Sequence, residues 1–208
     1  MALGILSSGD IKPIVKYDGR AGRWSRIDDK VAIDITQNFA AIFDLGNIEV
    51  GWAKFVSGGA PDFQMVKIGA PYPARPSEEH KRAVRVMVKL GASCGGDLRE
   101  FATAAGCAIE ALDELHDAYL AAPEAKSGMV PIVQMTGSTA RKTTTPKGTT
   151  TNYKPTLQIV KWIARPAEFD GDVETTPSVP PPAPPTAGRI KPPAAAPAAQ
   201  PAMADTEF

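Results

Sequence analysis

Cysteine is scarce: only Cys94 and Cys107 occur among 208 residues. Their spacing is too wide for a CxxC motif, and no histidine pair stands near them to complete a zinc site. Two reduced thiols are expected, not a disulfide framework. Histidine is equally rare. His80 falls in a charged loop and His116 on a helical stretch, and each reads as a surface residue. No apolar run approaches the 18 residues a membrane span needs. Nothing near Met1 resembles a basic segment followed by an apolar one, so no secretory signal is expected. A cytoplasmic protein is the expectation (host cytoplasm if phage-encoded). Net charge is zero, with 23 Lys and Arg against 23 Asp and Glu. Any attraction for nucleic acid must therefore come from a local patch. A phosphate-binding glycine loop and a GxGxxG motif are both missing. No catalytic constellation emerges, so a non-enzyme without cofactor or metal is expected.

What is present divides the chain in two. Residues 1–170 carry ordinary globular composition. Residues 171–208 hold ten of the 20 prolines, as in Pro180-Pro181-Pro182-Ala183-Pro184-Pro185. Such a segment cannot bury enough apolar surface to offset its ordering entropy, so a disordered tether is expected. As a coil its Gly171–Ala204 stretch would span roughly 30–35 Å, more where proline stiffens it. It ends in Ala204-Asp205-Thr206-Glu207-Phe208, a ring flanked by carboxylates. That suits an apolar pocket rimmed by Lys or Arg on another protein.

In the body, strand patterns run over Ile11–Tyr17, Arg23–Ile27, Phe39–Leu45, Ile48–Val56, Phe63–Ile68, Ala83–Leu90, Met129–Met135 and Pro155–Ala164. Between Asp97 and Ala122 the period changes. Leu98, Phe101, Ala105, Ile109, Leu112, Leu115 and Tyr119 recur at three- and four-residue steps, an amphipathic helical region broken near Gly106 and ended by Pro123. Thr136–Lys154 is rich in Thr, Gly and Lys without apolar periodicity and reads as a long mobile hairpin loop. The fold class is mainly β with a helical insert (α+β). A small barrel or sandwich fits. A five-stranded barrel with its helix between the third and fourth strands would be an oligonucleotide-binding (OB) fold, though another mixed sheet would leave the same trace.

Basic and aromatic residues interleave. Arg20, Arg23, Trp24 and Arg26 crowd one turn and strand. An exposed Trp beside Arg can stack an unpaired base while the guanidinium meets its phosphate. Trp24 is either that platform or a core residue. Parity places Trp52 with Ile48 and Val50, in the core. It leaves Phe55 on the other face with Gly51 and Ala53, whose small size keeps a stacking platform open. Lys54, Lys67, Arg85 and Lys89 could supply phosphate contacts. Arg141, Lys142, Lys147, Tyr153 and Lys154 sit in the Thr-rich loop with no acidic residue among them. The carboxylates Asp28, Asp29 and Asp34 cluster as a solvated turn or, in a competing enzyme reading, as a metal site.

The compact body, Pro/Ala tether and acidic Phe-bearing tip together resemble single-stranded DNA-binding proteins of the bacterial or tailed-phage kind. Residue matches lie only at Asp205, Glu207 and Phe208. Lys161-Trp162-Ile163-Ala164-Arg165-Pro166 resembles segments of phage replication or recombination proteins. The resemblance implies an OB-fold body over 1–170 that coats single-stranded DNA without sequence preference. It further implies that the tail recruits DNA replication, recombination and repair proteins. Homo-oligomerisation stays open. The alternative is a phage or bacterial structural or assembly protein whose tail is a spacer.

Overall fold

A computed structural model describes residues 13–56, 60–145 and 148–170. The expectations for Lys147 and for the tail with Asp205, Glu207 and Phe208 concern positions outside the described residues. In chain order the elements are β1 (Ile14–Asp18), β2 (Arg23–Asp28), β3 (Val31–Asp34), β4 (Ala40–Phe43), β5 (Glu49–Lys54), β6 (Asp62–Lys67), β7 (Lys81–Leu90) and β8 (Leu98–Thr103). Helices α1 (Gly106–Ala121) and α2 (Pro123–Lys126) follow, then β9 (Met129–Thr145), β10 (Gly148–Ala164) and a 3-10 turn at Ala167–Asp170.

The ten strands form one sheet, ordered β10-β9-β4-β7-β8-β1-β2-β3, with β5 and β6 branching from β7. β7 is long enough to pair with β4 through Val88–Leu90 and with β5 through Lys81–Arg85. All contacts along this path are antiparallel except β1 on β8, which is parallel. The fold is thus mainly β with a helical insert. The sheet is not closed by strand pairing: β3 and β10 end it. A single seam approaches closure, where the Tyr153 N–H of β10 donates to the Gly19 carbonyl at 2.6 Å and the Tyr17 hydroxyl donates to the Tyr153 carbonyl at 2.9 Å.

β7 alternates as its sequence demands. Val84, Val86, Val88 and Leu90 are buried, and Arg85, Met87 and Lys89 face the other way. The core gathers Val15, Phe43, Leu45, Phe101, Leu112 and Val133 around Trp24. α1 lays Ala108, Leu112, Leu115 and Tyr119 on this core, and Tyr119 stacks 5.8 Å from Trp162 of β10.

Two expectations about elements need correction. Leu98–Thr103 is strand β8, and the helix begins only at Gly106. Arg99, Phe101 and Thr103 point inward, so the alternation is real but carries a buried arginine. Arg99 survives there because Asp97 (2.8 Å) and Asp28 neutralise it and the Ile14 and Ile27 carbonyls accept from it at 3.1 and 2.8 Å. Thr136–Lys154 is likewise no loop. β9 and β10 run through it as a two-stranded ribbon paired as far as Thr145 and Gly148. Threonine suits strands, but over 138–144 and 148–150 the ribbon is exposed on both faces, so no apolar alternation betrays it.

Both histidines are buried, against expectation. The His80 ring lies 2.8 Å from the Ser77 hydroxyl and 3.1 Å from Asp62, tying the β6–β7 connection to β6. His116 lies on the inner face of α1, its ring 6.0 Å from that of Tyr119. Burial holds the His116 pKa below the usual histidine range, against the opposing pull of Asp117 and Asp113. The unfolded chain therefore binds a proton here more readily than the folded one. Stability from this site is complete above about pH 6.5 and is lost as pH falls below it. The thermal midpoint should drop more between pH 7 and 5 in the native protein than in His116→Gln. Equal slopes would show that His116 does not titrate with folding.

Candidate nucleic-acid interface

Trp24 is no stacking platform. It is 0% exposed and lies parallel to Phe39 at 4.0 Å, with Tyr17 and Phe101 tilted against it at 5.1 and 4.7 Å. The inner face of β2 has to fill the middle of the core, and the indole is the largest side chain available. Burial pushes the neighbouring Tyr17 hydroxyl up to about 12. Arg20 is exposed in the β1–β2 turn, where the Asp18 carboxylate accepts from the Arg20 and Ala21 backbone N–H groups at 2.8 and 3.2 Å. Arg23 is exposed 3.4 Å from Asp34, and Arg26 is half-buried 3.1 Å from Asp28. Asp28 and Asp34 are thereby engaged, and the Thr36 side chain, then the Thr36 backbone N–H, lower the Asp34 pKa. Asp29 and Lys30 make the β2–β3 turn with φ of 47° and 69°. Among the described residues no group of three His, Cys, Asp or Glu side chains is placed to hold a metal ion.

The loop residues are redistributed as well. Arg141 lies 2.7 Å from Glu110, and Lys154 pairs with Glu110 (3.2 Å) and Glu114. These acids belong to the outward turn of α1, which the sequence alone does not place beside the ribbon. Tyr153 is half-buried at the seam, its Cβ against Gly22. Gly22 has φ +67°, and a Cβ there would sit 3.1 Å from that of Tyr153. Lys142 remains exposed on the ribbon.

β5, β6, β7 and β8 bring the rest together. The outer face of β7 and β8 floors an open groove of about 1020 Å³ bounded by Phe63, Lys67, Arg85, Glu100, Arg165 and Phe169. Arg85 lies over the Phe63 ring at 5.2 Å and is braced by Glu49 at 2.6 Å and Glu100 at 3.9 Å. Arg165 lies over Phe169 at 5.3 Å. Phe55 is 51% exposed and meets Phe63 edge-on at 5.8 Å. Its supposed open platform is closed, however. Gly51 and Ala53 are buried, and a Cβ on Gly51 would fall 2.1 Å from the Gln64 carbonyl of β6. Lys54 is tied to Glu79, Lys67 donates to Asn47 at 3.2 Å, and Lys89 holds Glu168 at 2.5 Å. Trp52 sits outside the main core, covered by the loop before β7. Its indole N–H donates to Pro73 at 2.8 Å, and Arg75 lies 5.4 Å over the ring.

No family model, curated protein or solved structure matches this chain.

What the groove can bind follows from its own chemistry. Guanidinium groups set over aromatic rings offer a cation beside a π-system, the pairing an unstacked base and its phosphate would use. Phe63, Arg165 and Phe169 line this groove and are the residues that sequence reasoning overlooked. Strand parity could have flagged Phe63. Arg165 and Phe169 carry no local signal, because only the fold returns the segment after β10 to this face. Exposed ion pairs such as Lys54–Glu79 contribute little stability. A phosphate can take the carboxylate's place on such a cation at small cost.

Proposed function

We propose that this chain is a non-enzymatic single-stranded DNA-binding protein that lays an unpaired strand along the outer face of β7 and β8, beside Phe63 of β6. The observation that carries the reading is the Arg85–Phe63 pair in an open groove that Arg165 also lines, with the exposed Phe55 ring against Phe63. Element order is in keeping with it: if β1–β3 and β6 are set aside as additions and β4–β5 is taken as one interrupted strand, then β7, β8, α1 and the β9–β10 hairpin follow in the order of an OB fold, whose ligands lie on the face of its second and third strands. The β9–β10 ribbon, with Lys142 outward, would close over the strand. Binding would be indifferent to sequence and would coat and protect the DNA. The acidic, Phe-bearing segment 204–208 would recruit replication, recombination or repair proteins.

Titration with fluorescent oligo-dT at two salt concentrations, with duplex DNA as control, tests this. Single-strand preference is expected, with log K falling by about 0.7 per phosphate contact per log unit of salt. Equal affinity for duplex, or none for either, overturns it.

A second reading, a structural assembly protein, is favoured by the edge strand β3, where Val31 and Ile33 are 62% and 37% exposed. Light scattering on a sizing column would then find stable assemblies without nucleic acid, and no oligo-dT binding.

A further inference from the structure

The groove's cations are partly occupied by the chain itself. Immediately after β10 the 3-10 turn Ala167–Asp170 folds back onto this face. Glu168 sits 2.5 Å from Lys89, and Asp170 sits 3.2 Å from the Arg165 Nε. Phe169 lies between them in sequence, and the Arg165 guanidinium carbon sits over its ring at 5.3 Å. Lys89 depresses the Glu168 pKa, so the turn is anionic at neutral pH.

The partners of Arg165 differ in kind. Asp44 receives it through both terminal nitrogens, one at 2.8 Å, and its side chain is only 4% exposed. Asp170 is 69% exposed and Glu168 45% exposed. The buried carboxylate holds the arginine in place whatever happens outside. The two exposed ones can leave without stranding a buried charge. With the turn seated, and counting the Lys89–Glu168 pair together with the groove's own lining, Lys67, Arg85, Lys89 and Arg165 are set against the five carboxylates of Asp44, Glu49, Glu100, Glu168 and Asp170. With it displaced, the same four cations face three. The sign of the groove thus turns on whether this short turn is docked.

Building on the proposed function, we propose that Ala167–Asp170 is an acidic plug on the strand-binding face. Glu168 and Asp170 occupy the phosphate positions at Lys89 and Arg165, Phe169 occupies a base position, and single-stranded DNA must displace the turn to bind.

The test uses the full chain and fluorescent oligo-dT. Glu168→Gln with Asp170→Asn should raise affinity about five- to tenfold at low salt. It should also steepen the dependence of log K on log salt by about 1.4, two phosphate contacts no longer bought by breaking internal ion pairs. Asp113→Asn with Asp117→Asn makes the same net-charge change on exposed positions of α1. It should move affinity by less than half as much on a logarithmic scale. Adding Lys89→Gln to the plug variant should remove most of the gain. If the native chain binds oligo-dT but the plug variant gains no more than the helix control, the plug is overturned and the DNA-binding reading stands. If neither the native chain nor the plug variant binds, both fall. Binding by the plug variant alone supports the plug.

Discussion

Trp24→Ala is expected to lower the free energy of unfolding by about 3–5 kcal/mol, the range for truncating a buried aromatic residue. Trp24 is wholly inaccessible and touches three other aromatic rings, so truncation removes the transfer energy and leaves a cavity walled by Tyr17, Phe39 and Phe101. Rings held in this way cannot collapse into the space without leaving their own packing. Against the ~5–15 kcal/mol that separates folded from unfolded domains, such a loss brings the chain to the margin of folding. Urea denaturation followed by circular dichroism measures it as a fall in midpoint at constant slope. Trp24→Phe should be far milder than the usual loss of a buried tryptophan. The indole N–H is buried and meets no hydrogen-bond partner among the described residues, so deleting it gives up no bond to them. A loss below about 1 kcal/mol in Trp24→Ala would mean the indole is not the centre of the core.

Phe63→Ala should weaken oligo-dT binding by about 10- to 100-fold, since one base–aromatic stack is worth roughly 1–3 kcal/mol. The ring does two things at once: it offers aromatic surface to a base, and it carries the Arg85 guanidinium over it at 5.2 Å. Phe63 is only half-buried on β6, a strand that pairs with β5 alone, so the variant should keep its fold. Phe63→Tyr should retain most of the affinity, and Trp24→Phe should bind like the native chain. Anisotropy titration at fixed salt separates these outcomes. Affinity within twofold of native in Phe63→Ala would remove the groove as the binding site.

The two substitutions also mark how far the residues could be read before the fold was known. The alternation of β7 and the buried face of α1 are legible because each element has one wet side and one dry side. Where that condition fails, the pattern fails. β8 hides its strand period behind the inward Arg99, whose charge is matched by Asp28 on β2, some seventy positions away in sequence. The outer ribbon hides its strands because neither face is dry. For the candidate site the division is sharper. Arg85, Lys89 and Phe55 were visible as basic or aromatic residues on strand faces. Whether each was free could not be read, because Glu49, Glu100, Glu168 and Phe63 reach them only through strand pairing and through the return of the segment after β10.

The sequence by itself determined composition-level and local facts: a β-rich body, a helix closed by Pro123, a Pro/Ala segment poor in core-forming residues, and a zero net charge that confines any nucleic-acid affinity to a patch. Only the tertiary structure decided which of two tryptophans fills the core, which histidines are buried, and which cations meet carboxylates. The reason is physical. Hydrophobic period is a property of neighbours along the chain, whereas charge pairing, ring stacking and the burial of an arginine are properties of neighbours in space.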